Sequence, residues 1–434
     1  MNFVCPSMTK TILPGLFFSL CILTATAQEY PLTLDECRRA AVEHSPLTVR
    51  QRLAADKREA KDRATSAALI PQFEINAQAS YQNQTVELPG ELNLPFSIDL
   101  PLDQYRATVD FSQVIYGGNS VRNTKRVNAA TEEVETLSLE VQLDRLRDQI
   151  NEIYLNILLT NRQLDVNQLM RQTLAADMKA VSAQVKHGTT TGGTQAALAA
   201  RMLELEQEKT SLQGTREKLL QTLRTLTGLS ITESTPLVLP EVPSEAPTTD
   251  NRPFQRTELK LYDSQREQLD MQNRLLNSRA NPQLSLFASG GYGRPGYNPL
   301  ESNFSLMAIG GVRFRLPLTA WDATQKEKQA NRLLSRDIDQ QQRDFERNTS
   351  IEIAQYATDI QNLQEIITLD PQIVVARTII REQALAQLKG GVITESEYLT
   401  EFNNEATARI QAETNALLLI QAWIRYNAAR GIYE

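Results

Sequence analysis

The chain has 434 residues, a formal net charge of -7 and 41% hydrophobic content, with 18 glycines and 18 prolines. The acidic balance argues against a general nucleic-acid binder, and the length would hold two or three ordinary domains. Outside residues 1-27 no apolar run approaches the roughly 20 residues of a membrane-crossing helix.

At the start, Lys10 precedes an apolar run from Ile12 to Leu23, and Ala25-Thr26-Ala27 supplies an A-x-A cleavage signal. Residues 1-27 therefore read as a signal peptide of an exported protein that begins near Gln28, an uncleaved anchor being the other reading. Leu20 stands before Cys21, where lipid attachment would need a small residue. Cys5 and Cys21 leave with the signal, so Cys37 is the lone cysteine of the exported chain and no internal disulfide can form.

Thr33 and Glu36 have capping-box spacing, so a helix is expected from Thr33 to about Leu69, where Pro71 stops it. From Phe73 the period changes to two. Phe73, Ile75, Ala77, Ala79 and Tyr81 alternate with Glu74, Asn76, Gln78 and Ser80, which describes a two-faced strand. A loop with Pro89, Gly90, Pro95 and Pro101 leads to a second strand, where Ala107, Val109 and Phe111 alternate with Thr108, Asp110 and Ser112. After Gly117-Gly118 comes Asn119 to His187, 69 residues without proline or glycine. At about 1.5 Å per residue such a helix is roughly 100 Å long, too long for a globular core. Val127, Ala130, Val134, Leu137 and Val141 step by 3 and 4, and Ile150, Ile153 and Ile157 repeat the step, which is a coiled-coil seam. A Thr/Gly-rich turn after Gly188 reverses the chain into a shorter helix that ends at Thr227-Gly228.

The second half repeats this order. Phe111 and Phe314, Gly188 and Gly391, and Gly228 and Gly431 are each 203 residues apart. Pro71 and Pro282 are 211 apart, so the second hairpin is shorter by 8. Its long helix, Asp322 to Lys389, contains Pro371 as its one proline, and in its last strand Val312, Phe314 and Leu316 alternate with Arg313 and Arg315. The chain divides into a first repeat at 28-230, a proline-rich linker at 231-253 and a second repeat at 254-434. In each repeat the two shorter helices together match the long one, as in an antiparallel coiled-coil hairpin in which two short helices stack end to end.

The four strands, each about 9 to 13 residues, are long enough to cross a bilayer at a tilt, with one apolar and one polar face. A soluble four-stranded sheet packed on helices would alternate in the same way. The export signal and the very long helices favour a membrane. Open sheet edges cannot stand in hydrocarbon, so the barrel must be shared among chains, with eight or twelve strands as the natural totals.

Several stretches carry a resemblance: Leu32-Thr33-Leu34-Asp35-Glu36-Cys37-Arg38-Arg39-Ala40 at the opening, Phe111-Ser112-Gln113-Val114-Ile115-Tyr116-Gly117-Gly118 leaving a strand, and Ala280-Asn281-Pro282-Gln283-Leu284 entering one. With the duplicated element order, the chain resembles the TolC family of outer-membrane efflux proteins over its whole exported length. The resemblance implies a mixed α and β membrane protein, with a long coiled-coil α-barrel continued by a transmembrane β-barrel of four strands per chain, twelve in a homotrimer. It implies an exit duct in the outer membrane of a Gram-negative bacterium that docks a periplasmic adaptor and an inner-membrane transporter. The other reading of the function is a periplasmic coiled-coil adaptor or scaffold without a pore.

The same resemblance places docking and closure at the hairpin tips, Gly188, Thr189 and Thr190 in one repeat and Gly391, Val392, Ile393 and Thr394 in the other. Family members carry acidic residues six and nine positions beyond the second glycine. This chain has Glu397 and Thr400 there, with Glu395 and Glu401 nearby, and Thr194 at the first position of the other repeat. Glu397 and Glu401 are thus the expected periplasmic gate. Glu74, Asn76, Asp110, Arg313 and Arg315 are expected to face the barrel lumen, and Val312, Phe314 and Leu316 the lipid. No catalytic constellation, cofactor motif or metal-ligand cluster is present, His44 and His187 being far apart. The chain reads as a conduit, not an enzyme.

Overall fold

The computed structural model describes residues 31-84, 102-186, 192-243, 247, 254-298 and 302-433. The expected signal peptide, most of the loop after the first strand, and His187, Gly188, Thr189 and Thr190 lie outside the described residues. Along the chain run α1 (Leu34–His44), α2 (Pro46–Ser66), β1 (Gln72–Tyr81), β2 (Asp103–Tyr116), α3 (Ser120–Lys186), α4 (Gly192–Thr227), α5 (Thr257–Arg279), β3 (Gln283–Arg294), β4 (Ser305–Arg315), α6 (Ala320–Lys389) and α7 (Glu395–Arg430). No described helix is long and apolar enough to cross a membrane.

The helix expected over Thr33 to Leu69 is two helices. Its start is as expected, with Thr33 and Glu36 forming a complete capping box. The break comes at Ser45, because Pro46 has no N–H to give the preceding turn. Pro46 instead opens α2 in its first turn, where that donor is not needed, and the Ser45 hydroxyl accepts from the Leu47 amide at 3.2 Å. A 3-10 turn, Ala67–Leu69, ends the segment before Pro71. At the start of α3, Asn119 is not helical but left-handed, with φ 67°.

Of the expected seam on α3, Ala130, Leu137, Val141, Ile150, Ile153 and Ile157 are buried. Ile150, Tyr154 and Ile157 pack against Leu34, Cys37 and Ala41 of α1, Leu220 and Leu223 of α4, and Leu417 and Ile420 of α7. This core sits where the end of α4 meets α1: a Cβ on Gly228 (φ +68°) would lie 2.7 Å from the His44 ring. Cys37 is fully buried here, and desolvation pushes its thiol up to about 12, so it acts as a small core side chain. The linker closes the same region. Leu32 forms a parallel bridge with Leu237, and the Tyr154 hydroxyl lies within 2.8 Å of the carbonyl oxygens of both Leu32 and Val238. A second core, built by Met170, Leu174, Val181, Leu198, Leu205, Leu388, Tyr398 and Phe402, joins the two hairpins toward their tips.

The strands form one antiparallel sheet in the order β1-β2-β3-β4, so the two repeats meet at β2 and β3. A bulge between Val114 and Tyr116 inserts one residue into β2, which extends that strand to 14 residues.

Candidate functional site

Residues directly opposite each other in an antiparallel pair share a face of the sheet. From β1 to β4 one such rung reads Phe73, Phe111, Ala288 and Gly310. Two residues further along each strand it reads Ile75, Val109, Gly290 and Ala308. The same face carries Leu284, Leu286, Val312 and Phe314. The bulge shifts the parity of β2, so Tyr116 stands opposite Leu284 and joins it. This face is apolar and uncovered: Ile75 is 80% exposed, Phe73 72%, Phe314 65% and Val312 61%. A soluble monomer seldom leaves so continuous an apolar patch open to water. Aromatic side chains mark its ends, with Tyr105 and Tyr292 stacked on Phe304 at 6.0 and 5.5 Å, and Tyr116 and Trp321 exposed at the helical end. Leu316 lies one residue beyond β4 and is exposed.

The opposite face collects the polar residues. Glu74, Asp110 and Ser289 are successive partners, as are Asn76 and Thr108. Arg313 stands opposite Ser285, and Arg315 opposite Gln283. All five polar residues singled out in the sequence, Glu74, Asn76, Asp110, Arg313 and Arg315, therefore lie on one face. Asn76 Nδ2 donates to Asp110 Oδ2 at 2.6 Å, and Thr108 Oγ1 to the same oxygen at 3.2 Å. Strict alternation misses four apolar members of this face, among them Val114 opposite Ser285. Phe287 lies under the Arg313 guanidinium at 4.9 Å, Met307 is buried, and Ile309 is exposed.

At the other end of the hairpins, α6 ends in a Schellman motif. Gly391 is left-handed (φ +67°), its amide reaches the Leu388 carbonyl at 3.1 Å, and the Val392 amide reaches Gln387 at 2.9 Å. Val392 is 74% exposed at the turn, whereas Ile393 packs against the second core. Thr394 then caps α7. Its amide and hydroxyl donate to the Glu397 carboxylate at 2.8 and 3.0 Å, and those bonds hold that carboxyl below its usual range. Glu397 is thus the third residue of a capping box, a role the Thr394-x-x-Glu397 spacing would have disclosed. Glu401 lies 3.5 Å from Arg377 of α6 and accepts from Asn404 at 3.2 Å. The two hairpins touch here: Gln184 Nε2 donates to the Lys389 carbonyl at 3.1 Å, and the Thr194 hydroxyl stands 3.4 Å from Glu395.

Sequence reading missed a buried charged cluster above this tip. Glu405, 3% exposed, accepts from Arg381 Nε at 2.7 Å, Arg409 NH2 at 2.7 Å and Thr378 Oγ1 at 3.0 Å. Desolvation opposes its ionisation, but the bonds from Arg409 and Arg381 prevail and hold its carboxyl low. Arg381 also lies 3.6 Å from Asp177 of α3, which accepts from the Tyr398 hydroxyl. Burial pushes Asp177 up, against the pull of Tyr398 and Arg381. The cluster ties the first hairpin to the second through groups that lie up to 228 positions apart (Asp177 to Glu405), and only the Glu405/Arg409 step of four is visible in the sequence.

No family model matches the chain, and no curated protein does. Solved structures do match. The outer membrane protein VceC from Vibrio cholerae is 16% identical, with 92% of this chain and 97% of that one covered at a TM-score of 0.66. The CmeC outer membrane channel of Campylobacter jejuni is 13% identical over 92% and 85% at 0.67. The MtrE outer membrane channel of Neisseria gonorrhoeae, in its open state, is 14% identical over 92% and 89% at 0.64. The likeness spans nearly all of this chain and shows a shared fold: paired long helical hairpins beneath a four-stranded sheet.

Proposed function

We propose that this chain, which has the fold of the TolC family of outer-membrane channels, is the outer-membrane exit duct of a tripartite efflux or type I secretion system. Three copies close a twelve-stranded barrel in the membrane and a helical barrel below it. Solutes handed over by a periplasmic adaptor and an inner-membrane transporter then pass out passively. The observation that carries the reading is the sheet itself. It has one exposed apolar face, one polar face and two edges, β1 and β4, without partners among the described residues. Hydrocarbon tolerates such a sheet only when its edges are closed. Exposed apolar side chains along α6, among them Leu333, Leu334, Ile366, Leu369 and Ile373, give the helices an uncovered stripe to bury against neighbouring subunits.

In this assembly Glu74, Asn76, Asp110, Arg313 and Arg315 line the lumen, and Val312 and Phe314 meet lipid. The tips at Gly188, Thr189 and Thr190 and at Gly391, Val392, Ile393 and Thr394 receive the adaptor. Glu397 and Glu401 repeat around the threefold axis as a negative constriction. The bonds from Thr394 favour the charged form of Glu397, in keeping with that role. Two measurements test the proposal. The purified protein should require detergent and contain three chains per particle, whereas a monodisperse monomer in plain buffer would favour a soluble scaffold. Glu397→Gln should lower the preference of single channels for cations while the trimer persists.

A further inference from the structure

We infer that the barrel closes between subunits through an ion pair of Arg313 on β4 with Glu74 on the neighbouring subunit's β1, the two edge strands being offset by four residues. The inference rests on the channel reading above and specifies how one copy fits the next. The strand ends set the offset. The rung that begins at Gln72, the first residue of β1, passes through Ser112 and Phe287 to Gly311, and β4 continues four residues beyond Gly311 to Arg315. Relative to the periplasmic ends of the strands, the rung therefore climbs by four residues across one subunit. It meets the next β1 four residues above Gln72, at Asn76. Two residues lower, Arg313 then stands opposite Glu74.

Barrel geometry agrees. The offset must be even, since an odd one would turn the apolar face of one subunit into the lumen of the next. With a rise of about 3.3 Å per residue and about 4.8 Å between strands, offsets of two, four and six over four strands incline them by roughly 19°, 35° and 46°. Barrel strands tilt by about 35-45°, which removes the smallest offset. The chemistry agrees as well. Within the subunit Glu74 faces Asp110, a like charge whose oxygen is already bonded by Asn76 and Thr108. Among the described residues neither Glu74 nor Arg313 forms an ion pair, and Arg313 is steadied by the ring of Phe287. The same offset sets Val312 against Ile75 and Phe314 against Phe73 on the lipid side.

Cysteine pairs test the offset in the full-length protein, in which the native Cys37 is buried. Under mild oxidation, or with a short bis-methanethiosulfonate reagent, Glu74→Cys with Arg313→Cys should give a reducible covalent trimer. Glu74→Cys with Ile309→Cys, the pair for no offset, should stay uncrosslinked. Reversing one charge, Glu74→Arg, should lower the fraction of SDS-resistant trimer at least twofold, and adding Arg313→Glu should restore it. Crosslinking of the Ile309 pair, or of Glu74→Cys with Arg315→Cys, would overturn the assignment. So would a trimeric, conducting protein in which no pair crosslinks. A wild-type chain that is neither trimeric nor conducting would overturn the channel reading itself.

Discussion

The face assignment of β4 predicts opposite outcomes for two neighbouring positions. Ser305–Arg315 is eleven residues long, which at about 3.3 Å per residue and a tilt of about 40° spans roughly 25 Å, the height of a barrel's apolar band. Its midpoint is Gly310. If the strand is centred on the membrane, Val312 would lie about 5 Å from the middle on the apolar face, and Phe314 about 10 Å from it, near the boundary. An arginine on the lipid face costs about 2-4 kcal/mol at mid-bilayer and about 0-1 near the interface. Val312→Arg should then cost about 2 kcal/mol per chain, or about 6 per trimer, on the order of 10⁴-fold in the insertion equilibrium. Phe314→Arg should cost less than half of that. Ile309 is also exposed, at 49%, but stands opposite Ser289 on the polar face, so Ile309→Arg should insert nearly as well as the native chain. Refolding from urea into lipid vesicles, scored as the fraction of heat-modifiable trimer, reads all three. If Ile309→Arg proves more damaging than Val312→Arg, the faces are reversed by a one-residue slip. Small and equal effects would mean that the sheet does not sit in hydrocarbon.

Three other expectations concern the helices. Glu405→Ala takes the buried carboxylate away from Arg381 and Arg409, leaving Arg381 to Asp177 and the exposed Glu382, and loss of one partner from a buried pair costs about 3-5 kcal/mol, so limited proteolysis should open the tip region of the mutant well before that of the native protein. A Cβ at Gly391 meets nothing within 4 Å, so Gly391→Ala should cost only the roughly 1-2 kcal/mol of a left-handed residue, whereas Gly431→Ala also drives its Cβ to 2.5 Å from the Gln255 carbonyl oxygen and should lower the melting temperature more. The Glu397 carboxyl is depressed in the folded chain by its bonds to Thr394, so its stabilising effect is complete above its ordinary value of 4.5 and is lost as pH falls through the lower folded value. Hydrogen exchange in the first turn of α7, corrected for intrinsic rates, should therefore accelerate in acid below that value, and Thr394→Ala should abolish this pH dependence.

Periodicity and spacing made much of the fold legible. The strands announced themselves because apolar and polar residues alternate along each, and the coiled-coil seam because Ala130, Leu137, Val141, Ile150 and Ile157 recur at helical spacing. The 203-residue offset is visible in the backbone as well: Gly228 and Gly431 both end helices in the left-handed conformation. What escaped was set by local steric detail or by distant partners. The expected Thr33-to-Leu69 helix divides because Pro46 opens a new helix that Ser45 caps. Phe287, Met307 and Ile309 break the alternation because the polar face also has to pack its own side chains, Phe287 beneath Arg313. The Asp177-Tyr398-Arg381-Glu405 cluster had no local signature, since Arg381 and Glu405 sit on different helices of one hairpin and Asp177 joins them only when the other hairpin lies alongside. The resemblance implies a gate at Glu397, and the bond to Thr394 shows that an acid there also serves the helix that carries it.

The account stands or falls on whether three of these sheets enclose a water-filled pore. Conductance of the detergent-purified protein in planar lipid bilayers tests this most directly. The prediction is discrete current steps of one size from particles of three chains, with cation preference reduced by Glu397→Gln. A trimer that inserts and never conducts, or a chain that stays monomeric and soluble without detergent, would contradict it.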